Sequence, residues 1–196
     1  MKIQALAICL AAILATAANA ETYEFDAGHT EVRFIWDHAG VSTQSGEWRD
    51  IKGTVNFDPS KVPDTKVNVT IAADSVSTGV TKLDDHLKSA DFFDAKKYPE
   101  IRFVSTGVKQ TGKTAVQMTG NLTIKNKTHP VTLDVSLVHM GKHPVGAYID
   151  HYKGEWLGVK ATGRVLRSMF DVGRGAPLTS DWIVLEINTE MKAKGS

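Results

Sequence analysis

Hydrophobic and polar residues alternate one by one through most of this chain. Val32, Phe34 and Trp36 interleave with Glu31, Arg33 and Asp37, so an extended segment here has one apolar and one charged face. The same period of two recurs at Ile51, Gly53, Val55 and Phe57, at Val67, Val69 and Ile71, and at Ile101 and Phe103. It is cleanest from Val116 to Ile124, resumes from Val131 to Leu137, and returns at Leu157–Val165 and Ile183–Ile187. About eight one-sided strands follow, the pattern of an antiparallel sheet that hides one face. Gly40–Gly46, Asp58–Asp64 and Gln110–Lys113 read as turns, and Lys125–Thr128 as a tight hairpin with Asn126 suited to a left-handed conformation. His139–Gly154 is the longest irregular stretch.

One segment breaks the alternation. Between Thr81 and Lys88, Leu83 and Leu87 stand four apart and share a helical face, while Lys82, Asp85 and Lys88 point elsewhere. Thr81 and Asp84 have the spacing of a capping box. Phe92 and Phe93 follow, and Pro99 prevents any continuation. So short a helix draws its stability from packing. It is expected to plug one end of the β-structure, with Asp85 and His86 facing water.

Eight such strands form either a sandwich or a closed barrel, whose lumen is packed or holds one small ligand. The inward set mixes large rings (Phe34, Trp36, Phe57, Phe103) with Gly53, Gly120, Ala161 and Gly163. Alternation alone leaves both choices open.

The N-terminus changes the compartment. Lys2, a short apolar run and Ala18-Asn19-Ala20 make a cleavable secretory signal peptide over residues 1–20, leaving one domain over 21–196. Cleavage removes Cys9, the one cysteine, so the exported chain needs a core that stands without disulfides. It also removes Lys2, bringing the formal net charge from +1 to zero, which gives no attraction to nucleic acid. A periplasmic location is expected.

Candidate chemistry is sparse. The chain has no Gly-x-Ser-x-Gly elbow, no HExxH and no phosphate-cradling glycine loop. Asp84 and Asp85 are adjacent on a helix and point apart. No enzymatic activity is expected. The alternative is metal binding by His139, His143 and His151, which bring imidazoles together with Met140 in one stretch. A glycine-rich loop scatters its side chains, so no metal site is assigned to them.

Longer motifs identify a resemblance. Tyr23 to Phe34 carries Y-x-x-D-x-x-H-T-x-V-x-F, followed by Trp36, His38, Thr43 and Gly46. Ser75 to Gly79, Leu83 to Phe92, Tyr98 to Thr106, Gly120 to Ile124 and Pro130 to Leu133 continue it in order. The chain resembles the YceI-like periplasmic proteins over essentially its whole exported length. Two places depart from that pattern. Lys125–Pro130 replaces a Gly-Val-Thr-Lys-Pro hairpin, and Arg167-Ser168-Met169-Phe170-Asp171 keeps only part of an Arg-Ser-Asp-Phe-Gly run.

The resemblance implies an all-β fold: an extended lipocalin-like antiparallel β-barrel of about eight strands with one short capping α-helix. It also implies an apolar tunnel for a long-chain lipid such as a polyisoprenoid, an isoprenyl diphosphate, a quinone-type chain or a fatty amide. The expected ligand is thus a long-chain isoprenoid or fatty amphiphile, serving transport, storage or a stress response, with no other cofactor. Tunnel residues are expected at Val32, Phe34, Trp36, Val55, Phe57, Val69, Ile71, Phe103, Met118, Leu122, Leu133, Val135, Leu157 and Val159. His38, Arg167 and Arg174 are the head-group candidates. A homodimer is compatible with a barrel bearing long loops.

Overall fold

The computed structural model describes residues 20–196; the predicted signal peptide, apart from Ala20, lies outside them. The strands are β1 (Glu21–His38), β2 (Ser42–Trp48), β3 (Ile51–Phe57), β4 (Lys66–Ala72), β5 (Glu100–Gln110), β6 (Ala115–Ile124), β7 (Lys127–Lys142), β8 (Glu155–Leu166) and β9 (Trp182–Ala193), with helix α1 (Thr81–Lys88) between β4 and β5. All pair antiparallel. The first half of β1 pairs with β3 and its second half with β2, so these two short strands share one place in the round. β9 returns to pair with β1, closing nine strands into a barrel of eight positions. Closure leaves the outward charged faces in water and every inward apolar face in one lumen.

Three differences from the sequence-based expectations have simple causes. The turn after β1 is only Ala39–Val41, and Ser42 already begins a strand. Its inward residue Gly46 lies under the Phe34 ring, where a Cβ would come 2.3 Å from it. Of the inward positions of β2, which pair with Val32, Phe34 and Trp36, only Trp48 is apolar and the others are Gly46 and Gln44, so the strand shows no hydrophobic alternation. β7 runs on to Lys142, which shortens the irregular loop to 143–154. The capping box is not formed: Val80 is the N-cap, and the Asp84 carboxylate accepts from the backbone N–H and hydroxyl of Thr78 at 2.6 and 2.7 Å. Asp84 therefore fastens the entry to the helix rather than its first turn.

The two departures from the YceI-like pattern meet in space. The hairpin turn has both Lys125 and Asn126 left-handed, at φ 50° and 60°. Lys125 Nζ donates to the Asp171 carbonyl at 2.9 Å, and Lys127 lies 3.5 Å from the Asp171 carboxylate. Asp171 itself holds φ 57°, a conformation glycine takes without cost and aspartate tolerates. The lysine contacts hold an unfavourable backbone in place.

The barrel is closed at one end. α1 and the segment after it bring Leu87, Phe93 and Ala95 onto a cluster that includes Phe34, Trp48, Ile51, Ile124, Phe170 and Val172. The Trp48 and Phe93 rings meet edge to face at 5.4 Å. Leu87 is buried, and Leu87→Ala should cost about 2–3 kcal/mol through lost transfer energy and a residual void. Urea unfolding would check this; a loss below 0.5 kcal/mol (~0.5 is the scatter of surface substitutions) would mean the helix does not seal the end.

Candidate functional site

The other half of the lumen is hollow. A cavity of about 230 Å³ runs between β1, β3–β9 and the 62–65 turn, with almost wholly apolar walls. On β6 the lining extends from Ala115 to Leu122. Seven residue steps give about 23 Å of strand, or about 18 Å along the axis at the ~40° tilt usual for barrels. The walls come from inward residues that end one after another in open space: Val135, Val159, Leu185 and Ile187 are only half-buried although they face the lumen. At the open end the rim is polar, formed by Thr65, Gln110, Lys113 and Thr114 beside Val62. Deep in the wall, Thr30 and Thr189 hydrogen-bond to each other at 2.8 Å, which satisfies two hydroxyls that would otherwise be stranded among hydrocarbon.

Twelve of the expected tunnel residues stand on this wall: Val32, Val55, Phe57, Val69, Ile71, Phe103, Met118, Leu122, Leu133, Val135, Leu157 and Val159. Phe34 and Trp36 do not. They point inward, but at the closed end, where Phe34 stacks on Trp36 at 5.7 Å and tilts against Trp48 at 4.5 Å. Alternation reports which face a side chain is on, not its height in the barrel. Sequence reasoning missed Thr30, Thr189 and Lys113, polar residues that an apolar pattern cannot select. Leu185 and Ile187 carried the right alternation and could have been included.

The head-group candidates are all away from the open mouth. His38 is exposed at the end of β1, where its backbone bridges to Thr179. Arg167 is neither solvated nor at a mouth: it is buried and donates to the carbonyls of Val172, Arg174, Thr179 and Ser180 and to the Thr179 hydroxyl, at 2.6–3.0 Å. Burial lowers its pKa, yet a guanidinium stays charged. It acts as the hub of the 171–181 loop. Arg174 is exposed and pairs with Asp91, joining that loop to the segment after α1.

On the outside of the barrel a second set of groups converges. His139, His143 and His151 do not come together as a trio. His143 Nε2 lies 3.2 Å from Glu190, and His151 Nε2 3.4 Å from Asp26. The His139 ring is 6.3 Å from that of His143, and its Nε2 is buried without a hydrogen-bond partner among the described residues. His29 Nδ1 is 2.7 Å from Asp26, and a ligating atom from each of Asp26, His29 and Glu190 falls within 4.8 Å of the others. Burial alone would raise the Asp26 carboxyl, but hydrogen bonds from His29, the Gly28 N–H and His151 outweigh it and hold it below its usual range. The Asp26 hydrogen bond, with the charges of Asp26 and Glu190, pushes the His29 imidazole up.

Comparison with known proteins places this architecture. A YceI-like domain model matches residues 23–191. Protein YceI of Salmonella arizonae is 34% identical over 194 residues, covering 97% of both chains. The crystal structure of Burkholderia cenocepacia BcnA aligns with a TM-score of 0.73 at 25% identity, over 85% of this chain and 98% of that one. The Campylobacter jejuni YCEI protein aligns at 0.68 with 29% identity, over 80% and 88%. A polyisoprenoid binding domain from Saccharophagus degradans, implicated in plant cell wall breakdown, shares the fold at 0.65 with 9% identity, over 89% and 99%.

Proposed function

Since this chain belongs to the YceI-like family, we propose that it is a periplasmic binding protein that holds the tail of a long-chain isoprenoid or related amphiphilic lipid in its lumen. The observation that carries this reading is the apolar tunnel, sealed by α1 at one end and polar-rimmed at the other. The Saccharophagus degradans polyisoprenoid binding domain, which has the same fold, supports it. A tail enters from the open end, and its head group stays with Gln110, Lys113 and Thr114. Transport, storage and protection under stress would all use the same site.

The energetics favour a long chain. Burying about ten methylenes yields about 8 kcal/mol gross, which is micromolar binding before the chain is ordered. Tight retention therefore asks for a tail that fills the full depth. Catalysis is not part of this reading, because the polar groups facing the lumen are hydroxyls, one amide and one ammonium with no base placed to activate a nucleophile. Among the described residues no helix is long and apolar enough to cross a membrane. In this reading the signal peptide delivers the barrel to the periplasm, where a monomer or a homodimer would serve equally well.

Native mass spectrometry of the protein purified from its periplasm tests the proposal. The expected result is an added mass, extractable by organic solvent, that fragments as a prenyl or fatty chain. A bare polypeptide mass that stays bare when prenyl lipids are offered would end it.

A further inference from the structure

The outer cluster owes its existence to a fault in the β1 alternation. Tyr23 and Phe25 face inward on odd numbers, whereas Thr30, Val32 and Phe34 face inward on even ones. The phase change occurs where the β1–β9 register shifts, between Phe25 and Thr30. The extra residues loop outward and carry Asp26 and His29 over the outer face of β9, above Glu190. From the other side, the 143–154 loop folds onto Trp156, which is 1% exposed although it lies on the outer face of β8. Tyr152 anchors that loop, its carbonyl accepting from Trp156 Nε1 at 3.0 Å and its ring stacking on His143 at 4.5 Å. Three chain segments distant in sequence thus present nitrogen and carboxylate donors to one spot.

We propose that Asp26, His29, His151 and Glu190 form a binding site for a divalent transition-metal ion, with Zn²⁺ the natural occupant, on the outer wall of the barrel. Two neutral imidazoles and two carboxylates are the donor set that Zn²⁺ accepts, and their two negative charges match its charge. Zinc bonds near 2.0 Å at tetrahedral angles put neighbouring donor atoms about 3.3 Å apart. Asp26, His29 and Glu190 already offer ligating atoms within 4.8 Å of one another, and His151, which lies outside that group, has its Nε2 3.4 Å from Asp26, so the fourth ligand is added by rotation of the His151 side chain. Lys192, two residues along β9 from Glu190, donates to the His151 carbonyl at 2.9 Å.

Groups around these four have the geometry of an outer shell. His29 Nε2 lies 3.3 Å from the Tyr152 hydroxyl, which orients the ring with Nδ1 toward Asp26. His143 Nδ1 accepts from the Val145 N–H at 3.2 Å, so its proton sits on Nε2 and is donated to Glu190. That tautomer has no lone pair free at Nε2, which makes His143 a positioning residue for the Glu190 carboxylate and not a ligand. His139 takes no part.

The test is calorimetric titration of the EDTA-stripped exported protein with Zn²⁺ alone. One ion per chain is expected to bind saturably, and the His29→Ala/Glu190→Gln double variant should lose at least a hundredfold in affinity. Tyr152→Phe should lose roughly tenfold, and His139→Ala should bind like the parent. The double variant must still unfold cooperatively and take up lipid, because none of these side chains faces the lumen. Independently of any variant, Co²⁺ should give the intense visible bands of a four-coordinate site, displaced by Zn²⁺. No saturable uptake, or uptake unchanged in the folded double variant, or only the pale spectrum of hydrated Co²⁺, would overturn the proposal.

Discussion

A Val135→Trp variant should take up prenyl lipid about 200-fold more weakly than the parent while remaining folded. Val135 is half-buried on the tunnel wall, between Val116 and Ala161 on the neighbouring strands. The small Ala161 leaves room for an indole, so the added ring fills lumen instead of straining a packed core. If it excludes about four methylenes of the tail, the loss is about 3 kcal/mol, which is the stated ~200-fold. Ser136→Trp is the control. It sits one step along the same strand and points outward, so its uptake should match the parent. Lipid competition assays on both variants would check the pair. Equal uptake by the Val135 and Ser136 variants would remove the lumen as the binding site.

The second large effect falls on Arg167. Arg167→Met removes a buried guanidinium that donates to four carbonyls and a hydroxyl, and leaves those acceptors with no equivalent partner. Hydrogen bonds to charged groups contribute about 1.5–3 kcal/mol each, and water entering the opened loop recovers part of the sum. A net loss of about 4–5 kcal/mol is expected, lowering Tm by roughly 10–20 °C in a domain of this size. Arg167→Lys should recover less than half, because one ammonium cannot reach carbonyls arranged around a planar fork. Differential scanning calorimetry decides it. A Tm drop under about 3 °C for Arg167→Met would show that the 171–181 loop stands without its hub.

The same residue shows where sequence reasoning went astray. An arginine near a turn reads as a solvated cation or an anion receptor, because its neighbours in sequence do not reveal that four loop carbonyls converge on it. The histidines behaved alike. His139, His143 and His151 are close along the chain, yet His143 goes to Glu190 and His151 to Asp26. Their partners come from β1 and β9, and no local spacing predicts that.

What the sequence determined by itself was the sidedness of the strands. A one-residue slip would turn every apolar side chain of a strand into water, so period-two alternation commits each segment to one face. It also determined a short helix with one apolar edge, and two aromatic rings beyond it that only a sheet or a barrel end could bury. The tertiary structure decided everything measured along the barrel axis. Phe34 and Val32 are two residues apart on the same face, yet Phe34 is part of the plug and Val32 lines the tunnel. That division depends on where α1 docks. The tertiary structure also decided the phase shift in β1. Alternation on either side of a bulge looks sound locally, and only pairing with β9 shows that Asp26–His29 is extruded from the wall. Local pattern encodes direction because each side chain must choose between water and core. Depth, register shifts and convergent polar groups depend on contacts between residues as distant as Thr30 and Thr189, which no window along the chain contains.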